Sequence, residues 1–110
     1  MDALYEIKGK TLIIYMPEEV DHHIAEQIND ESDWFVTTNN VTEIIFDFAK
    51  TEFMDSSGIG IIMGKYRILS KLDGKIHVKN ANRTVDRMLT ISGINRVLSE
   101  QYEWERGKLK

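Results

Sequence analysis

The chain has no cysteine and only one proline, Pro17. Without thiols there are no disulfides, no thiol chemistry and no cysteine-based metal site, and nothing points to an oxidising compartment. A basic excess is missing too: 14 Lys and Arg stand against 18 Asp and Glu, for a formal net charge of -4, and the basic residues are scattered. That argues against a nucleic-acid footprint held by long-range charge, so no nucleic-acid partner is expected. No apolar run approaches the roughly 20 residues of a membrane span. The start MDALYEIKGK lacks the basic and apolar segments of a signal peptide. A cytoplasmic protein with no membrane partner is therefore expected. Internal repeats, low-complexity stretches and linkers are also absent. What is present is 110 residues, 42% hydrophobic and 29% charged. This composition fits one domain over residues 1–110 with a single core.

The apolar pattern changes period along the chain. ALYEIKGKTLIIYM alternates around Gly9 and Lys10, with Leu4, Ile7, Leu12 and Ile14 among its apolar positions, which predicts a strand, a tight turn and a second strand. Pro17 ends that strand. From Glu18 to Thr38 the spacing of Val20, Ile24 and Ile28, and less regularly Trp34 and Phe35, predicts a helix with Asp21 as a cap within it. TEIIFDFA suits a central strand, in which Asp47 needs a loop edge or a hydrogen-bond partner, as a strand-end residue near the serines at 56 and 57 or in solvent. MDSSGIGIIMGKYRILSKLDG predicts a second helix, striped by Ile59, Ile62, Met63, Tyr66 and Leu69 and widened by Ile61, Ile68 and Leu72. KIHVKNA is a further strand; RTVDRMLTI, with Val85, Met88, Leu89 and Ile91, is a helix stopped at Gly93, followed by a short strand around Val97. Residues 99–110 form a tail that fits either a terminal helix or a frayed end. Strands alternating with helices after an antiparallel start imply an α/β fold with parallel crossovers.

Chemistry concentrates in DSSG, residues 55–58. With a helix starting after Asp55, that carboxylate caps it by accepting from the backbone amide of Ser57 or Gly58, and Ser56 takes the first helical position. Its hydroxyl is then available at the carboxyl end of a parallel strand, where open α/β sheets place their sites. Gly58, Gly60 and Gly64 cost about 0.8 to 1 kcal/mol each against Ala in a helix interior. Their presence predicts cleared space around the serine for a partner's backbone. Capping alone also accounts for the Asp and both serines. Covalent catalysis needs a base and an orienting third group; only His22, His23 and His77 are candidate bases, and DSSG is not a Gly-x-Ser-x-Gly elbow. No phosphate-loop or dinucleotide motif is present, and none supports a nucleotide or other cofactor. His22 and His23 are adjacent, so on a helix they point to different faces and suit a surface role better than joint metal ligation.

FMDSSGIG after an apolar strand, GKIHV beyond it, VDRMLTISGI near the end and VDHHIAEQI upstream occur in this order from about Leu12 to Leu98. Together they resemble the STAS-domain anti-anti-sigma factors, or anti-sigma factor antagonists, of bacterial sporulation and stress regulation; the paired histidines resemble the sporulation branch. The resemblance implies a small mixed sheet of four to five strands flanked by helices, no enzymatic activity and no cofactor. It also implies partner switching: an anti-sigma factor that is a serine kinase is bound, releasing its sigma factor, and phosphorylates the antagonist to end the interaction. A PP2C-type phosphatase reverses the modification. The family's phosphoacceptor carries over to Ser56, with Ser57 the second choice, and Asp55 as the cap. The expected docking face joins Asp21 and His22 to Met54, Asp55, Ser56, Ser57, Gly58, Ile59, Gly60 and Met63. For Met54 and Met63 core packing is the competing reading, and a monomer is expected when free. Glu18 departs from the family, which often has glycine there. The rival reading is a STAS scaffold or ligand-binding subunit that is never phosphorylated.

Overall fold

The computed structural model describes residues 3–100. The expected hairpin forms from β1 (Leu4–Lys8) and β2 (Thr11–Tyr15), antiparallel with Lys8 opposite Thr11, and Gly9 supplies the positive φ of 62° that the turn requires. β2 pairs in parallel with β4 (Glu43–Asp47), and β4 pairs in parallel with β6 (Lys75–Lys79). The sheet order is β1-β2-β4-β6. Alternation decides the faces: Leu12, Ile14, Ile44, Phe46 and Ile76 are fully buried on one side. Each such side chain contributes about 1.5 to 3 kcal/mol relative to exposure.

A second sheet of only two strands, β3 (Glu19–Val20) and β5 (Phe53–Met54), lies apart from the first, and its strands run parallel. It corrects the expected helix start. Glu18 to Val20 are not helical, because the Glu18 carbonyl accepts from the amides of Glu52 and Phe53 at 2.8 and 3.0 Å, and the Val20 carbonyl accepts from Asp55 at 3.0 Å. Helix α1 therefore runs His22–Asn39 and α2 runs Ser56–Ser70, each beginning one residue beyond the small sheet's following cap. A second correction concerns Val97. Gly93, at φ 83°, ends α3 (Arg83–Ile91), but the chain then re-enters a helix, α4 (Ile94–Glu100), rather than a strand. Ile94 and Leu98 are buried four residues apart, a helical spacing that a reading centred on Val97 misses. Ile91, counted as apolar stripe, is 79% exposed. The tail beyond Glu100, read as either a terminal helix or a frayed end, lies outside the described residues.

The buried line of α2 is also rotated from the expected stripe. Ile61, Ile62 and Leu69 are buried, Ile59, Met63 and Tyr66 pack partly against the core, and Ile68 and Leu72 are exposed. Lys65 occupies the centre of that line at 1% exposure. Its ammonium donates to the Asn29 carbonyl at 3.2 Å, to Asn29 Oδ1 at 2.9 Å and to the Asp33 carboxylate, which ties α2 to α1. A buried cation is tolerated only with such a full set of acceptors. At the other end of the sheet, Nε2 of His77 lies 2.6 Å from Glu43 Oε2, and Thr11 donates to Glu43 at 3.0 Å. Burial raises the Glu43 carboxyl. The hydrogen bonds from His77 and Thr11, with the charges of His77 and Lys75, outweigh it and hold the group below its ordinary value.

Two stability measurements check these assignments. Asp33→Ala, which strips the buried ammonium of its carboxylate, is expected to destabilise by about 2 to 3 kcal/mol in urea unfolding, while Lys65→Met, which removes the charge and keeps the volume, costs less. The reverse order counts against the staple. Because Glu43 is held low in the fold, its stabilisation is present above the ordinary carboxylate value of 4.5 and lost as the pH falls through the folded value. The advantage of the parent protein over Glu43→Gln in urea midpoint should accordingly shrink on acidification below about pH 5.

Candidate functional site

Val20 and Met54 are opposite one another in the β3–β5 pairing, and the next residue on each strand is the cap of the helix that follows. The caps are Asp21 (φ -94, ψ -178) and Asp55 (φ -95, ψ -177), two near-identical backbone conformations. α1 and α2 thus begin side by side at the same end of the molecule. Two positive helix ends meet there, and two carboxylates answer them. Asp21 Oδ1 accepts from the Ile24 amide at 2.9 Å, and Asp55 Oδ1 accepts from the Ser57 amide at 2.8 Å.

Ser56, the first residue of α2, is exposed. Ser57 is half-buried, and its Oγ lies 3.5 Å from Nδ1 of His22 on the neighbouring helix. His22 Nε2 in turn stands 3.9 Å from Glu26. A groove of about 340 Å³ opens between the helices, lined by His22, Ala25, Glu26, Asn29, Ser57, Gly60 and Ile61. The structure therefore brings His22, Ser57 and Gly60 to one groove, with the exposed Asp21 and Ser56 at the adjoining helix starts. Ile59 and Met63 are half-buried against the core. Among the described residues no group of three His, Cys, Asp or Glu is arranged to hold a metal ion.

Three expectations change. Met54, expected to offer apolar contact to a partner, is 2% exposed and belongs to the core. Gly58 is buried and does not clear space for a partner: a Cβ there would sit 2.4 Å from Sδ and 2.5 Å from Cγ of Met54, so its missing side chain is what lets Met54 pack. Gly60 and Gly64 are different, because an added Cβ would meet nothing within 4 Å. Asp47 is a strand-end residue, but its carboxylate is occupied by the Ala49 amide at 2.9 Å and Asn80 at 3.1 Å. It faces a separate depression of about 380 Å³, shared with Leu4, Tyr15, Met16, Ala49 and Lys50. Tyr15 donates to Glu6 at 2.6 Å there, and that hydrogen bond, with burial and the negative charges of Glu6 and Asp47, raises its phenol.

On α2 sequence reasoning left Ile61 out of the site, and on α1 it missed Ala25, Glu26 and Asn29. Their signal was available: they follow His22 at helical spacings of three, four and seven, the same face of α1. Exposed Phe53, beside the small sheet's Met54, had no such signal, since strand residues read as apolar whichever way they point.

A four-stranded mixed sheet with a two-stranded companion that starts two helices together, with a serine at the head of the second, defines a STAS domain. Residues 2–105 match that family, and the chain belongs to it. It is 33% identical over 88 residues to the anti-sigma F factor antagonist of Lysinibacillus sphaericus, covering 80% of this chain and 75% of that one. Its fold matches the anti-sigma factor antagonist SpoIIAA in the unphosphorylated form with a TM-score of 0.78 and 34% identity, over 83% of this chain and 80% of that one. It also matches the phosphorylated form of the Bacillus cell fate determinant SpoIIAA, with a TM-score of 0.74 and 28% identity over 98% and 99% of the two chains.

The glycines separate packing from access. Gly58→Ala is expected to destabilise by about 1 to 3 kcal/mol through displacement of Met54. Gly60→Ala and Gly64→Ala should each stabilise by up to about 1 kcal/mol, as Ala does over Gly in an open helix position. Thermal and urea unfolding of the three variants read this directly; equal effects at all three positions would refute the distinction.

Proposed function

We propose that this protein is an anti-sigma factor antagonist that docks on an anti-sigma factor serine kinase through the paired starts of α1 and α2, and that phosphorylation of Ser56 releases it. The observation that carries the reading is the division of labour in DSSG: Asp55 is spent on the cap, Ser57 faces His22, and Ser56 stands exposed at the first helical position. An exposed hydroxyl there is accessible to a kinase, and the helix end beneath it suits the phosphate that results.

A phosphoryl group adds about -1.5 to -2 charges and three acceptor oxygens. For the domain itself this is mild, since a helix N-terminus favours an anion by about 0.3 to 1 kcal/mol. Against a partner it is costly, because the new charge lies among Asp21, Asp55 and Glu26 on a chain already at -4 and has to lose water in the interface. A loss of about 3 kcal/mol weakens binding by more than a hundredfold. The relatives whose names and solved forms accompany this fold, one of them phosphorylated, support the same reading. A PP2C-type phosphatase would restore the antagonist, and the docking surface would comprise Asp21, His22, Asp55, Ser56, Ser57, Ile59, Gly60 and Met63, with Met54 and Gly58 supporting it from beneath.

Mixing the protein with candidate serine-kinase anti-sigma factors and ATP, followed by mass spectrometry, is expected to place phosphate on Ser56 and none on Ser56→Ala. Ser56→Asp should unfold at nearly the parent temperature yet bind the kinase at least tenfold more weakly by calorimetry. Unchanged binding, or collapse of the fold, would sink the local-charge switch. A protein that no such kinase binds or modifies would point to an unphosphorylated scaffold instead.

A further inference from the structure

Among the described residues, His22 is the group able to become a cation that faces Ser57. It is the first residue of α1, its side chain is 84% exposed, and its two ring nitrogens look in different directions: Nδ1 toward the Ser57 hydroxyl at 3.5 Å on α2, and Nε2 toward Glu26 at 3.9 Å on its own helix. Beside it stand Asp21 before α1, Asp55 before α2 and Glu19 on β3, all acidic, with Glu26 and His23 on α1 itself; farther along, α1 carries Asp30, Glu31 and Asp33, and α2 carries Lys65, buried on Asn29 and Asp33, and Arg67 in its last turn. β5 adds Phe53 and Met54, which carry no charge. The contact with Ser57 crosses from one helix to the other, and Ser56 and His22 hold equivalent places, each the first residue of its helix after an aspartate cap.

From this geometry we infer that His22, when protonated, is the positioning residue that pairs with the phosphoryl group of phospho-Ser56 from the neighbouring helix. The inference rests on the reading of Ser56 as phosphoacceptor and adds its regulation. A phosphoryl group projects past the hydroxyl that carries it, and an exposed imidazole can turn to meet it without disturbing the core. The two groups are matched in acidity: a phosphoserine loses its second proton near pH 6, and an imidazole is protonated below about 6.5. Each therefore favours the charged form of the other in the physiological range. Unphosphorylated, His22 keeps its contacts with Ser57 and Glu26. Phosphorylated, it partly neutralises the new anion when protonated, so the repulsion that drives a partner off is strongest where His22 is uncharged.

The test installs phosphoserine at position 56 during synthesis of the full chain, so that no kinase is needed. Phosphorus NMR then follows the second ionisation of the phosphate, and proton–carbon NMR follows the imidazoles. The phosphate midpoint is expected about half a unit lower in the parent protein than in His22→Asn. The His22 midpoint should rise by a similar amount on phosphorylation, because the coupling is reciprocal. His22→Arg, which supplies a permanent cation, should keep the phosphate midpoint low, and His23→Asn should leave it unchanged. Equal midpoints in the parent and His22→Asn overturn the pairing, and so does an equal effect of His23→Asn. Failure of every kinase to modify Ser56 would remove the switch while leaving this titration readable, so the two ideas fail separately.

Discussion

A parallel pairing of two residues on each side, Glu19 opposite Phe53 and Val20 opposite Met54, holds the working end of this molecule together. A parallel pairing this short has little stability of its own, so neighbouring polar contacts sustain it. Thr51, 2% exposed, donates its hydroxyl to the Pro17 carbonyl at 2.8 Å, and its own carbonyl accepts from Asn82 at 2.9 Å. Asn82 meanwhile caps α3 by accepting from the Val85 amide at 2.8 Å. The segments before α1, α2 and α3 are therefore stitched to each other before any of these helices begins. Because side chains alternate along strands and caps follow them directly, the register of that small sheet decides which residues of α1 and α2 face each other.

Further along the same two helices, Lys65 takes over. A fully buried ammonium with acceptors from Asn29 and Asp33 allows only one register of α2 against α1, since sliding either helix by a residue would leave it without partners. The small sheet fixes the helix starts and the lysine fixes their relative rotation. Between these two restraints lies the groove with Gly60 at its edge and Ser57 facing His22. A charge added at Ser56 falls on the solvent side of both restraints. That separation is why a local electrostatic change can alter what binds here while the core of Leu12, Ile14, Ile44, Phe46 and Ile76 is untouched.

Much of the architecture was legible in the chain because local rules and global packing agree there. The hairpin announced itself by alternation around Gly9, β4 by a short apolar β-branched run, and the head of α2 by the Asp-Ser-Ser sequence that caps it. Legibility failed where a contact distant in sequence overrode a local preference. Glu18 to Val20 fit a helical period, but amides more than thirty residues away claim their carbonyls. Lys65 looks like a surface residue on any composition argument and is buried because Asn29 and Asp33 arrive from another helix. Gly58 and Gly60, two residues apart, cannot be told apart in the sequence; only Met54 beneath the first distinguishes a packing glycine from an open one.

The sequence by itself determined the α/β class, the cap at Asp55, the placing of a serine at the head of α2 and the family to which the motifs belong, since each depends on residues close in the chain or on their order. Tertiary structure alone decided that α1 starts beside α2, that His22 meets Ser57, that Met54 is core rather than surface and that Lys65 clamps the pair. Those outcomes depend on where β3 finds β5, a pairing of two residues on each side whose partners are set by burial and hydrogen-bond satisfaction across the fold and leave no local pattern to read.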